Sequence, residues 1–147
     1  MRVLALSMVF SLGLAGQALA AKDAAEIRRV LDRYMAVAHP KGPSKTAPYD
    51  REGDAKVTEA ATARQAILAE LKDVPGEAMP VVEQVLSQRA SPKQRFEIVG
   101  ALGDQTHTRE CAEMLHRVLQ DVRTPKDREA ALYEELVRSS AIQGLRM

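Results

Sequence analysis

The chain has 147 residues, 46% of them hydrophobic and 28% charged, with 21 lysines and arginines against 20 aspartates and glutamates. That is one domain's worth of chain with a core of useful size, and the near balance of charge gives no electrostatic reason to expect a DNA or RNA ligand. Only 3% is aromatic and tryptophan is absent, so stacking platforms for bases or sugars are lacking, and the single cysteine, Cys111, excludes an internal disulfide.

The first twenty residues read as a secretory signal peptide. Arg2 is a short positive start, Val3 to Ala15 is an apolar run, and Ala18-Leu19-Ala20 is an A-x-A cleavage site. The run is shorter than the roughly 20 apolar residues of a membrane span, and glycines interrupt it. Cleavage after Ala20 leaves 127 residues and, with Arg2 gone, 20 basic against 20 acidic side chains. The absence of a twin arginine points to export of an unfolded chain, and no cysteine near the cleavage site offers a lipid anchor.

Residues 21–38 are expected to form an N-terminal helix with the stripe Ile27, Val30, Leu31, Tyr34 and Met35. His39-Pro40 ends it, because the residue before a proline avoids the α region. Residues 39–53 read as a Pro/Gly loop tethering this helix to residues 54–147. Asp54 is the expected cap of the second helix, whose apolar side is Val57, Ala60, Ala61, Ile67, Leu68 and Leu71, and Pro75-Gly76 closes it. A third helix spans Ala78 to Arg89, with Pro80 in its first turn.

Ser91-Pro92-x-Gln94 is a capping box with proline at the first helical position. Ile98, Val99 and Leu102 follow on one face, Gly103 stands where a left-handed C-cap wants glycine, and Asp104 to Thr108 make the turn. The next helix carries Cys111, Met114, Leu115, Val118 and Leu119 at one-face spacing. Thr124-Pro125-x-Asp127 then opens a helix over Lys126 to Leu145, with Ala131, Leu132, Leu136, Ala141, Ile142 and Leu145 on its expected buried side. Alternating apolar and polar runs are missing, so the expected class is all-α. The core is expected to comprise Leu31, Ile67, Leu71, Val82, Leu86, Ile98, Leu102, Leu115 and Leu119.

Parts of this pattern repeat. Arg95-x-x-Ile98-Val99-x-Ala101-Leu102 is matched by Arg64-x-x-Ile67-Leu68-x-Glu70-Leu71 before it and by Arg138-x-x-Ala141-Ile142-x-Gly144-Leu145 after it. Cys111-x-x-Met114-Leu115-x-x-Val118-Leu119 is matched by Ala78-x-x-Val81-Val82-x-x-Val85-Leu86. The offsets of the first two matches suit helical repeats. The stretch PKQRFEIVGALGD…CAEMLHRVLQD resembles a HEAT-like repeat of the short bacterial kind first described in phycobilin lyases, with its P-x-x-R start, A-L-G helix end and following A-x-x-x-L-type helix. The likeness covers about Val57 to Met147. It implies a short α-solenoid of antiparallel helix pairs, here with an N-terminal capping helix, whose usual work is holding a partner rather than lyase chemistry. The third unit is spaced a dozen residues further than the first two.

The chemistry-bearing residues do not assemble into a motif. His107 and Cys111 are four apart, but a zinc site needs about four ligands. Glu113-x-x-His116 is half of a di-iron motif without its second half. Glu134, Glu135, Glu110 and Glu113 read as solvated faces, and Cys111 as a small buried hydrophobe. Arg64, Arg95 and Arg138 read as structural, each bonding a preceding turn or an acid of a neighbouring unit. No catalytic, cofactor-binding or metal-binding residue is assigned, and no cofactor is expected.

The function expected from the sequence is an exported helical-repeat adaptor that binds another protein in the periplasm or outside the cell, a self-capped monomer in preference to a homodimer formed through its last helix. Gln65, Gln94, Glu97 and Asp104 are expected near the accessible part of its binding face. The alternative is an accessory subunit or small-molecule-handling enzyme of the cell envelope, with polar groups near His39 or His107 lining a pocket.

Overall fold

A computed structural model describes residues 22–40 and 51–147; the leader expected at Met1–Ala20 and residues 41–50 of the expected loop lie outside the described residues. Among the described residues the chain is all-α, with six α-helices, two short 3-10 turns and no strand. Local chemistry sets most helix starts. The Asp23 side chain accepts from the Glu26 N–H and caps α1 (Ala24–Ala36). Ser91 and Gln94 form the reciprocal capping box that opens α4 (Pro92–Gln105). Thr108 caps α5 (Arg109–Gln120) and Asp127 caps α6 (Arg128–Leu145). Each such cap is worth about 0.5–2 kcal/mol. Pro80 lies in the first turn of α3 (Met79–Gln88), where its missing N–H costs nothing.

Cross-links between helices advance together along the chain, which gives their directions. Arg28 donates to Gln84 (2.7 Å) and Arg89 to Asp32 (2.6 Å), so α1 and α3 run parallel. Arg117 grips Glu83 through two nitrogens at 2.8 and 3.0 Å, and Arg123 donates to the Ser87 carbonyl at 3.2 Å, tying α3 to α5 and the segment after it. In α2 (Arg51–Leu68), Arg64 meets Glu97 of α4 at 3.1 Å, and the Thr106 hydroxyl beyond α4 donates to the Leu71 carbonyl at 3.2 Å. Arg95 of α4 meets Glu134 of α6 at 3.2 Å. Odd-numbered helices therefore run beside odd ones and even beside even, while α1 also packs on α2 and α5 on α6. The exposed pairs among these links add little stability, about 0–1 kcal/mol each. Burial of Ile27, Leu31 and Tyr34 of α1, Val82 and Leu86 of α3, Ile98 and Leu102 of α4 and Met114 and Leu115 of α5 supplies the main driving force.

The α4–α6 contact is the closest. A Cβ added at Gly144 would lie 2.8 Å from the Gly103 Cα, and one at Gly103 would lie 3.2 Å from the Gly144 Cα. Two glycines let the backbones touch. This corrects the reading of Gly103 as a left-handed cap: α4 runs on to Gln105, Thr106 is the C-cap, and no described glycine has positive φ. Among the described residues the left-handed one is Asp73, at φ 55°, in the reversal after α2. A short polar side chain tolerates that conformation better than most.

Several boundaries and faces also move. Arg51 to Gly53, expected in the loop, already belong to α2, so Asp54 lies in its first turn rather than capping it. The first helix is shorter than 21–38, and α6 starts at Arg128 rather than Lys126 because Asp127, not Thr124, is the cap. Ile67 and Leu119 are only partly buried, while the other seven expected core residues are buried. The largest correction concerns α6. Its inward residues are Glu134, Val137 and Ala141, whereas Leu132, Ile142 and Leu145 are 54%, 42% and 38% exposed. Glu134 is thus not on a solvated face.

Candidate functional site

Alpha helix 2 buries only Arg64 and Leu68 among its eighteen residues. It is amphipathic in a weak sense, rich in alanine, threonine and charge, and it meets α4 along a short line. Between the two helices a groove of about 450 Å³ remains, floored by small side chains such as Ala61, Ala69 and Ala101 and walled by the half-buried Phe96. Gln65, Glu97 and Asp104 border it. Gln94 does not, because its side chain accepts from the Ser91 N–H in the capping box.

Beside the groove sits a polar cluster that joins three helices. Glu97 Oε2 accepts from the Tyr34 hydroxyl at 2.8 Å and from Arg64 Nε at 3.1 Å. Arg64 Nη1 also donates to the Ala38 carbonyl at 3.2 Å, which holds the segment after α1 against α2. His39 Nε2 lies 3.9 Å from the same carboxylate oxygen, is buried, and makes no hydrogen bond. The His39 ring meets Tyr34 edge-on, with centroids 6.1 Å apart. Burial, then the Arg64 charge, holds the His39 pKa below the ordinary imidazole value, with Glu97 opposing. Burial and the bond to Glu97 push the Tyr34 hydroxyl well above the usual phenol range. Both shifts lead away from neutrality, downward for His39 and upward for Tyr34. The carboxylate oxygen shared by Tyr34 and Arg64 is fixed in place, so the cluster clamps helices together at the groove's edge.

The other charged groups singled out by the sequence disperse. Arg95 is 2% exposed and binds the Leu86 carbonyl at 3.0 Å, Asp121 at 3.3 Å and Glu134, in agreement with a structural role. Arg138, the third of the set, is exposed and bonds to nothing among the described residues, so the expectation fails there. His107 precedes α5 rather than lying on it, and is exposed, while Cys111 is buried. Burial pushes the Cys111 thiol up to about 11. Glu113 pairs with Arg109 at 2.8 Å and His116 contacts Gln120 at 3.2 Å, both on the surface. Among the described residues no three histidine, cysteine or carboxylate side chains gather in a metal-binding arrangement, and no helix is long and apolar enough to cross a membrane.

Sequence reasoning missed Glu134 as the partner of Arg95, and the open space above Gly100. The Arg64–Glu97 pair carried a faint signal: the two residues are 33 positions apart, the same offset as the match between the second helices of the repeat. No family model, no curated protein and no solved structure matches the chain.

Proposed function

We propose that the chain is a short α-solenoid of HEAT-like helix pairs behind an N-terminal capping helix, exported to the periplasm or the cell exterior, and that it works as an adaptor holding another protein in the α2–α4 groove. The observation that carries this reading is the groove that the described residues leave open between α2 and α4, set in a row of helices that is otherwise drawn tight at Gly103 and Gly144. The parallel stacking of α1 on α3 and of α2 beside α4 and α6 supports the repeat reading, since repeats place equivalent helices side by side in one direction. Tyr34, Arg64 and Glu97 beside the groove bond to one another, which favours a binding surface over a reactive pocket. The envelope enzyme or accessory subunit remains the alternative, favoured by the position of His39 beside the groove.

A photo-crosslinking residue at Gln65, compared with one at exposed Glu129 on α6, tests the adaptor reading in the cells that make the protein. A defined protein adduct from position 65 and none from position 129 is the expected result; equal yields, or none at either position, overturn it. The exported, monomeric form has its own check. Mass spectrometry of envelope or medium fractions should find the 127-residue chain beginning at Ala21, and light scattering should give one chain's mass.

A further inference from the structure

Gly100 lies in the interior of α4, and a Cβ added there would meet nothing within 4 Å. Glycine inside a helix is less stable than alanine, so no contact within the described chain accounts for it. Gly103, one turn on, differs: its bare Cα is what lets α6 approach. Gly100 instead opens into the α2–α4 groove. On α4 the groove face reads Glu97, Gly100, Ala101, Asp104 at three- and four-residue spacing, and Ala61 and Gln65 border it from α2.

Charge and backbone chemistry narrow the occupant. Arg64 is already neutralised by Glu97 at 3.1 Å, so the carboxylate left over in the groove is that of Asp104, which is exposed and has no bonding partner among the described residues. Both walls are α-helices whose backbone groups bond within the helix, and neither offers the free edge that an added strand needs. A volume of about 450 Å³ suits a few side chains from one face of a helix.

Building on the adaptor reading, we propose that the groove takes one α-helix of the partner protein, with a small residue where it crosses Gly100 and a lysine or arginine opposite Asp104. The crossing copies the device the fold already uses between Gly103 and Gly144. The small residues allow close approach, and the cation sets the direction and register of the bound helix.

Two labelled peptides test this by fluorescence anisotropy against the purified protein: an amphipathic helix of leucine and lysine with alanines at its centre, and the same helix with glutamate in place of lysine. The lysine helix should bind the tighter. Gly100→Leu should weaken it about tenfold or more, Gly100→Ala should weaken it less while raising the melting temperature, and Asp104→Lys should abolish the preference for lysine over glutamate. Loss of binding alongside a gain in stability is an outcome that damage to the fold does not produce, so Gly100→Ala decides the matter even if Gly100→Leu misfolds. Failure of the lysine helix to bind, binding unchanged by both Gly100 variants, or a preference untouched by Asp104→Lys overturns the proposal. If position 65 still crosslinks a protein in cells while the helices do not bind, the adaptor reading stands and the helical partner falls.

Discussion

Replacing Glu134 with alanine should be among the most damaging single changes on α6. The carboxylate is 7% exposed and lies 3.2 Å from Arg95 Nε, whose side chain is 2% exposed. Removing it strands part of a buried guanidinium. Breaking a buried pair in this way costs about 3–5 kcal/mol. Arg95 keeps the Leu86 carbonyl at 3.0 Å and Asp121 at 3.3 Å, and the Nε–Oε1 contact is out of line for a hydrogen bond, so the lower end, about 3 kcal/mol, is the expected loss. For a domain of this size that lowers Tm on the order of 10 °C. Urea unfolding of Glu134→Ala, Arg95→Met and the double variant measures it. The double variant should recover much of the loss, because no unpaired buried charge remains. A loss below about 0.5 kcal/mol for Glu134→Ala, the range of ordinary surface positions, would refute the burial of this pair. Strict additivity of the two single changes would refute their coupling.

The glycines of α4 and α6 should respond with opposite signs: Gly100→Ala stabilises by roughly 0.5–1 kcal/mol, whereas Gly144→Ala, whose Cβ would sit 2.8 Å from the Gly103 Cα and 3.0 Å from Leu115 Cδ1, overpacks the crossing at a cost of about 1–3 kcal/mol. Thermal melts of the two variants compare them directly, and the same sign in both would mean the helix crossing is misplaced. His39 gives a pH dependence. Its folded-state pKa is held below the ordinary imidazole value by burial and by Arg64, so its contribution to stability is complete above the unfolded pKa of about 6.5 and is lost as pH falls through the folded value. Between pH 7 and pH 5 the wild-type Tm should therefore fall more than that of His39→Gln; parallel curves would contradict this. Cys111, 1% exposed with its thiol pushed up to about 11, should react with a thiol reagent only at the rate of unfolding, and prompt modification of the folded protein would show that α5 is not packed as described.

The all-helical class was legible because it rests on short-range patterns. Ser91 to Gln94 announced the start of α4, and the stripes Ile27–Met35 and Cys111–Leu119 announced faces that are buried except at Met35 and Leu119, which are partly so. Caps and stripes depend on residues within one or two turns, and those are present in the sequence itself. What the sequence could not decide is which helix each face meets. Gly103 has the local look of a C-cap, yet its role is set by Gly144, which lies 41 positions away. Glu134 looks like one of a solvated pair until Arg95 is seen against it. On α6, Leu132 and Ile142 have the hydrophobicity of core residues, but the helix turns Glu134, Val137 and Ala141 inward: the glycine crossing admits only close backbones, and the buried Arg95 demands a counter-charge. The groove has the same origin. Residues such as Ala61 and Gly100 are small in any sequence, and only the spacing of α2 from α4 leaves them facing open space. Periodicity within a helix is a local property of the chain, whereas burial, ion pairing and empty space belong to pairs of helices and are decided by tertiary packing.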